Sequence, residues 1–273
     1  MRRNWRDPLP EWLVLALITL AAAFLRLVVL DRFPPGLYRD EAFNGLDALQ
    51  VLEGKTPIFF EANNGREPLF IYLAAASVAV WGRSPGALRL VSALVGILTI
   101  PAFYWLGREL FGRRIATLAA ILATTTVWTH NLSRIAFRAV TMPPLLALSL
   151  ALLWCGLRQR RLGILACAGA IYGLSFYTYL AARFSVIALV LFFIYTLLWH
   201  RQTLWLRGWA IFALLSLVVV APLGIYFVAH WQSTFARAGQ VSILNPQING
   251  DDLWGALLRQ IWSALRLFNL RGD

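Results

Sequence analysis

Apolar runs of roughly 20 residues, closed off by arginines, recur along this chain and constrain its fold more than anything else in it. A helix needs about 20 mostly apolar residues to cross the hydrocarbon layer of a membrane. Seven stretches meet that need: about 11–30, 86–106, 115–130, 140–157, 163–181, 184–199 and 208–229. The bilayer offers no water to a bare backbone, so such runs are expected as helices. Basic residues collect at alternate turns. Arg2, Arg3 and Arg6 precede the first span, Arg108, Arg113 and Arg114 follow the second, Arg158, Arg160 and Arg161 the fourth, and Arg201 and Arg207 the sixth. If every span crosses once, these groups share one side. The excess of positive charge in cytoplasmic loops makes that side cytoplasmic. The basic start, apolar run and Ala21-Ala22-Ala23 also fit a cleaved signal peptide, which would leave the remaining topology unchanged.

Composition excludes a soluble domain: 59% of residues are hydrophobic and 14% charged, against about 25% charged in soluble proteins. The net charge of +12 would suggest nucleic acid in a soluble protein. Here the arginines stand at span ends, where they set topology and meet anionic head groups, and no nucleic-acid recognition motif is present. Cys155 and Cys167 fall inside apolar segments as packing residues.

The segment 68–82 is apolar but short, and counting it as a span would put three basic turns outside. It is therefore expected as an interfacial or re-entrant helix. The connection 31–85 is too long for a simple turn. It holds Asp31, Asp40, Glu41, Asp47, Glu53, Glu61 and Glu67, seven of the thirteen acids in the chain. Carboxylate chemistry outside the cytoplasm is thus nearly confined to this loop. Phe43, Leu46, Leu49 and Leu52 recur at steps of three, predicting a short helix on the membrane surface with Asp40 and Glu41 at its start. Acids at a helix N-terminus are also favoured for electrostatic reasons alone. The tail 251–268 is amphipathic, with Leu253, Trp254, Leu257, Leu258, Ile261, Trp262, Leu265 and Phe268 on one face, and predicts a second surface helix.

The outer side also carries Arg66, Arg134, Arg138 and Arg183, and Arg26 and Arg89 lie near the outer ends of spans. Arg26 and Arg89 either snorkel to the interface or face a partner. Guanidiniums gathered at an outer surface suit a lipid phosphate, or could pair with the acids of the first loop. A carboxylate can take the proton of an attacking hydroxyl, and cations can stabilise a departing phosphate. Glycosyl transfer from a lipid phosphate needs both. The nucleotide and metalloprotease motifs are absent, and the isolated His130, His200 and His230 are expected as interface residues rather than metal ligands.

Five segments carry a likeness. YRDEAFNGLDA after the first span resembles the acidic Asp-Glu motif in the first outer loop of GT-C glycosyltransferases. GREPLFIYL resembles the charged-Pro stretch later in that loop, and ALRLVSALVGILTIPAFYWLGRELFGRR the second span with its inner turn. LSRIAFRAVTMPPLLAL resembles the outer loop before the fourth span, and YTYLAARF an outer turn of bacterial members. The likeness, over about residues 20–230, is to glycosyltransferase family 39, the protein O-mannosyltransferases and lipid A aminoarabinose transferases. It implies an inverting transferase using a polyprenyl-phosphate sugar. Asp40 is then the catalytic carboxylate that orients or deprotonates the acceptor, and Glu41 its motif partner. Arg66 stands where relatives place a basic residue near the lipid phosphate, Arg134 and Arg138 are further phosphate or sugar contacts, and Arg183 is one more candidate.

The expected fold is all-α, a polytopic transmembrane helix bundle of GT-C type with about seven spans and interfacial helices in the first outer loop and at the C-terminus. Residues 1–230 form the transmembrane module with its outer catalytic loop 31–85, and 231–273 an outer segment with an amphipathic helix. Family members are longer, so further spans are expected to follow. The expected function is transfer of a sugar from a polyprenyl-phosphate donor to an acceptor hydroxyl on the non-cytoplasmic face of a bacterial inner membrane, with the N-terminus cytoplasmic. The alternatives are a lipid-linked sugar transporter or flippase, which would place charge along a midplane path, and an inactive lipid-binding remnant. No metal site is assigned, a divalent cation remaining open as cofactor. The expected partners are the lipid donor, an acceptor of undetermined class and membrane lipids, with no nucleic acid.

Overall fold

The computed structural model of the protein describes residues 10–62, 65–201, 204–231, 243 and 245–267. Arg2, Arg3, Arg6 and Phe268 lie outside the described residues. Helices α1 (Glu11–Leu27), α2 (Arg39–Leu52), α3 (Leu69–Trp81), α4 (Pro85–Phe111), α5 (Arg113–Thr125) and α6 (Val127–Leu132) come first. A 3-10 turn, Arg138–Thr141, leads into α7 (Met142–Gln159), followed by α8 (Leu162–Ser175). A second 3-10 turn, Leu180–Phe184, leads into α9 (Ser185–Trp199); α10 (Leu206–Ala229), α11 (Pro246–Asn249) and α12 (Leu253–Leu267) complete the order. Among the described residues the only strand-like pairing is an isolated antiparallel bridge between Phe60 and Arg66.

Each expected span coincides with helix. Four segments have the length and apolar character to cross a membrane: Pro85–Phe111, Arg138–Gln159, Leu180–Trp199 and Leu206–Ala229. Helices α1, α5 and α8 are shorter, at 17, 13 and 14 residues. The stretch 115–130, expected as one helix, breaks at Thr126, whose backbone is extended. The cause is local: Thr124, Thr125 and Thr126 each turn a hydroxyl back onto the carbonyl four residues earlier, which competes with the helix ladder. Segment 68–82 is a helix of 13 residues, about 20 Å long at 1.5 Å per residue, too short for the hydrocarbon core.

In lipid there is little hydrophobic gain in bringing helices together, so small residues that permit close packing decide the contacts. Ala22, Ala116, Ala120 and Ala123 join α1 and α5 to Ile100 and Tyr104 of α4. A Cβ on Gly169 of α8 would stand 2.2 Å from the Phe212 carbonyl oxygen of α10, so only glycine allows that approach. Ser216 on α10 donates to the Gly169 carbonyl at 3.1 Å in the same contact. By contrast α9 has no buried residue, and its Ile187, Leu191 and Leu198 stay exposed, as suits a lipid-facing helix.

Two units are distinguished by internal packing. One holds the described residues up to Phe60 together with Arg66–Leu223, the other Glu61–Gly65 with the described residues from Gly224 onward. In the second, Tyr226 donates to Glu61 Oε1 at 2.5 Å. Helix α12 there has the expected amphipathic character, with Trp254, Leu258, Ile261, Trp262 and Leu265 exposed. In the first unit, Arg108 meets Glu11 and Arg158 meets Glu109, each at 2.7 Å, so the basic turns after α4 and α7 and the start of α1 share one end. The acidic loop belongs to the other end, where α1 finishes and α4 begins.

Candidate active site

Helix α2 presents its polar side inward. Glu41, Asn44 and Asp47, at steps of three, are buried, while Leu46 and Leu52 on other faces are exposed. The Glu41 carboxylate accepts from the backbone N–H of Tyr38 at 2.8 Å and of Ala136 at 2.8 Å. It also takes Nε and Nη2 of Arg89 at 2.9 and 3.2 Å. Arg89 donates in addition to the carbonyls of Pro34 at 2.8 Å and of Gly36. Asn44 completes the attachment by donating to the Ala136 carbonyl at 2.9 Å. The start of α2 is thereby clamped to α4 and to the loop before α7. Asp40, next in chain to Glu41, is half-buried and lies within electrostatic reach of both Arg66 and Arg138.

Arg66 is held by its bridge to Phe60, with Arg66 N–H donating to the Phe60 carbonyl at 2.7 Å. Its guanidinium is buried, lies 5.7 Å from the centre of the Phe43 ring and meets Asp47 Oδ2 at 2.5 Å. Burial pushes the Asp47 carboxyl above its usual range, against the pull of Arg66 and Arg138. Arg138, at the mouth of α7, lies 5.5 Å from the Tyr179 ring centre and 3.7 Å from Glu67 Oε2. Arg183 meets Glu67 Oε1 at 3.0 Å. The backbone N–H of Leu69 donates to the Tyr177 carbonyl at 2.9 Å, fastening the acidic loop to the turn that carries Tyr179 and Arg183. Asp40, Asp47 and Glu67 thus alternate with Arg66, Arg138 and Arg183 in one cluster.

Of the residues expected at this site, Asp40, Arg66, Arg138 and Arg183 come together, and Glu41 stands beside them as the clamp. Arg134 is placed elsewhere. It donates to the carbonyls of Leu25 at 2.8 Å, Arg26 at 3.2 Å, Val28 at 2.9 Å and Phe33 at 3.1 Å. The first three of those carbonyls stand at the end of α1, where the helix ladder leaves carbonyls without donors, and a cation there also complements the helix dipole. Arg26 and Arg89 do not snorkel: they are 0% and 1% exposed. Arg26 donates to the Ala22 and Ala123 carbonyls at 3.4 and 3.0 Å. Sequence reasoning passed over Asp47 and Glu67. The three-residue spacing of Glu41, Asn44 and Asp47 could have found the first; the position of Glu67 beside Arg66 was the only signal for the second.

Among the described residues no group of three or more His, Cys, Asp or Glu is arranged to hold a metal ion. An apolar groove of about 460 Å³ is formed between α3, α4 and α7. Leu69, two residues past Glu67, and Thr141, three past Arg138, line it together with Leu98, Trp105 and Leu148.

The family model for dolichyl-phosphate-mannose-protein mannosyltransferases matches residues 65–226. No curated protein matches by sequence. ArnT from Cupriavidus metallidurans bound to undecaprenyl phosphate is similar at a TM-score of 0.64 and 19% identity, with 95% of this chain and 52% of that one covered. ArnT in the apo state aligns at 0.64 and 18%, covering 93% and 51%. The apo oligosaccharyltransferase of Archaeoglobus fulgidus aligns at 0.59 and 16%, covering 98% and 38%. The chain therefore spans about half the length of ArnT or less of these structures. At such identity the likeness is one of fold, the GT-C helical bundle.

Proposed function

This chain belongs to the dolichyl-phosphate-mannose-protein mannosyltransferase family, and from that premise we propose that it is a glycosyltransferase using a polyprenyl-phosphate sugar. The observation that carries the proposal is the setting of Asp40, a half-buried carboxylate in the electrostatic field of the two cations Arg66 and Arg138. Asp40 accepts the proton of an acceptor hydroxyl as its oxygen attacks C1 of the sugar. The bond from C1 to the phosphate oxygen breaks, and its electron pair leaves with the polyprenyl phosphate. Arg66 and Arg138, with Arg183 beside them, bind that phosphate and hold it more firmly as charge develops. Attack from the face opposite the leaving group inverts the anomeric centre. Glu41 keeps Asp40 in place without touching substrate.

The groove suits the isoprenoid tail, since its lining is apolar and two of its residues, Leu69 and Thr141, stand two and three positions from Glu67 and Arg138 in the chain. The acids lie at the end opposite the basic turns after α4 and α7, and the excess of positive charge in cytoplasmic loops supports a reaction on the non-cytoplasmic face with the N-terminus cytoplasmic. In a bacterium this is the inner membrane. Arg134 carries no substrate in this scheme.

The test is binding of polyprenyl phosphate by the purified chain in lipid nanodiscs. Arg66→Ala and Arg138→Ala should each weaken it about tenfold or more, the worth of one hydrogen bond to a charged group. Wild-type protein that shows no affinity for the lipid phosphate would refute the proposal.

A further inference from the structure

Helix α9, 15 residues and about 22 Å long at 1.5 Å per residue, has no buried residue. Aromatic rings hold it away from its neighbours. Phe192 stands 6.3 Å from Trp154 of α7 and 6.0 Å from Trp209 of α10, and Phe193 stands 5.2 Å from Trp209. An apolar groove is left on each side of the helix. One, of about 290 Å³, lies toward α4 and α7 and is lined by Leu110, Leu150, Trp154, Ala188 and Phe192. The other, of about 690 Å³, lies toward α10 and is lined by Val186, Val190, Trp209, Ala213 and Leu217. Leu110 and Trp154 in the first, and Val190 and Leu217 in the second, are exposed, so both grooves open to the surface. A wall without partner atoms forfeits its dispersion contacts, and acyl chains are as apolar as leucine.

The two grooves meet at one polar mouth. A pocket of about 430 Å³ shares Trp154 and Phe192 with the first groove and Trp209 with the second. It adds Arg158, Tyr195, Thr196 and His200. Arg158 is exposed, and its Nη2 meets Glu109 Oε2 at 2.7 Å; a guanidinium carries five N–H donors, more than one carboxylate uses. Arg160 and Arg161, two and three positions past Arg158, and Arg201, next to His200, are exposed as well. Tyr195 and Trp199 stack with ring centres 5.4 Å apart, both exposed, as residues at head-group level are. A basic mouth at that level, leading into two apolar grooves, matches a lipid with one anionic head and two chains. Basic pockets between spans recognise such head groups. A polyprenyl phosphate, with a single tail, fills only one groove, and a choline head brings a cation to a basic mouth.

We propose that an anionic diacyl phospholipid binds here, with its phosphate at Arg158 and one acyl chain on each side of α9. The lipid supplies α9 with the packing that neighbouring helices give to α4 and α7. One leaflet contributes about 15 Å of hydrocarbon, less than the length of α9, so both chains run beside the helix. The site lies at the end opposite the acidic cluster, and it stands whether or not the chain transfers sugar.

The test is quenching of tryptophan fluorescence by lipids brominated on their chains. The purified full chain in phosphatidylcholine nanodiscs is titrated with brominated phosphatidylglycerol or brominated phosphatidylcholine. Affinity for phosphatidylglycerol should exceed that for phosphatidylcholine about fivefold or more, the worth of one arginine against an anionic head group. Trp154→Phe should remove most of that excess quenching. Arg158→Gln should weaken phosphatidylglycerol about fivefold, whereas Glu109→Gln, which breaks the same ion pair but keeps the cation, should not weaken it. Equal quenching of wild type by the two lipids overturns the proposal without recourse to any variant. Excess quenching that survives Trp154→Phe or Arg158→Gln overturns the assigned site, and equal losses in Arg158→Gln and Glu109→Gln leave the pair a structural one and overturn it too. Displacement of brominated phosphatidylglycerol by an equimolar amount of unlabelled polyprenyl phosphate would give the grooves to the carrier lipid. Quenching by neither lipid, with cross-linking between copies through α9, would give them to a second copy of the chain; either result overturns the proposal.

Discussion

Glu41 and Arg89, separated by 48 residues in sequence and each 1% exposed, form a two-point ion pair that fixes the first turn of α2 against α4. Two further backbone donors complete the carboxylate, so no charge in the pair is left bare. Removing one partner of a buried pair costs about 3–5 kcal/mol, because the other charge stays buried alone. Glu41→Gln and Arg89→Ala should each lower unfolding stability in detergent by that order. The double replacement Glu41→Leu with Arg89→Met should lose less than the sum of the two singles, the remaining loss being that of the backbone groups left unpaired at Tyr38, Ala136, Pro34 and Gly36. A double variant as unstable as the sum of the singles would show that the pair is not one unit.

Arg134 and Arg66 should separate by phenotype. Arg134 serves the carbonyls at the end of α1, so Arg134→Ala should lose about 2 kcal/mol or more of stability through those unpaired groups. The fraction that folds should bind polyprenyl phosphate as wild type does. Arg66→Ala should lose binding first. Lipid affinity measured beside a thermal melt checks both, and weakened lipid binding by well-folded Arg134→Ala would return that residue to the site.

Asp47 gives stability a definite pH dependence. Burial raises its pKa above the ordinary 3.8, so the folded protein holds this proton more tightly than the unfolded chain. That contribution is fully present below 3.8 and is lost as pH rises through the raised value. The difference in unfolding free energy between wild type and Asp47→Asn should therefore shift against wild type as pH rises from about 3 through the acid range. Unfolding curves of both proteins at several pH values measure it; a difference that stays flat or moves toward wild type contradicts the assignment.

The side of the membrane is open to direct labelling. With Cys155 and Cys167 replaced by alanine, an impermeant thiol reagent on intact cells should reach Glu53→Cys in the acidic loop and leave Gln159→Cys, beside the basic turn after α7, unlabelled. Both positions are exposed. The opposite pattern would invert the topology.

Helices within the apolar runs, and α2, were legible because apolar runs and three-residue spacing report on local structure. The depth to which α2 buries its polar face was not. Leu46 and Leu52 are exposed, as a helix at a membrane surface requires, but Leu49 packs on the core, and Glu41, Asn44 and Asp47 are buried. That burial hid Asp47. The partners of Arg134 were not legible because they lie more than 100 residues away in sequence, and no periodicity encodes that approach. Arg26 and Arg89 were ambiguous for a related reason: an arginine near a span end looks the same whether it meets head groups or a buried partner. Arg66, Arg138 and Arg183 could be nominated as outer cations, but the joining of Arg138 and Arg183 around Glu67 depends on two loops meeting through Leu69 and Tyr177.

The most direct test is turnover of polyprenyl phosphomannose by the purified chain, read as release of polyprenyl phosphate in the presence of a membrane-extract acceptor. Asp40→Asn keeps the size of the side chain and removes the base. It should cut the rate about 100-fold or more, within the range of a general base, and leave affinity for the lipid donor close to wild type. A variant that turns over at the wild-type rate would contradict a catalytic role for Asp40 and with it the proposed chemistry.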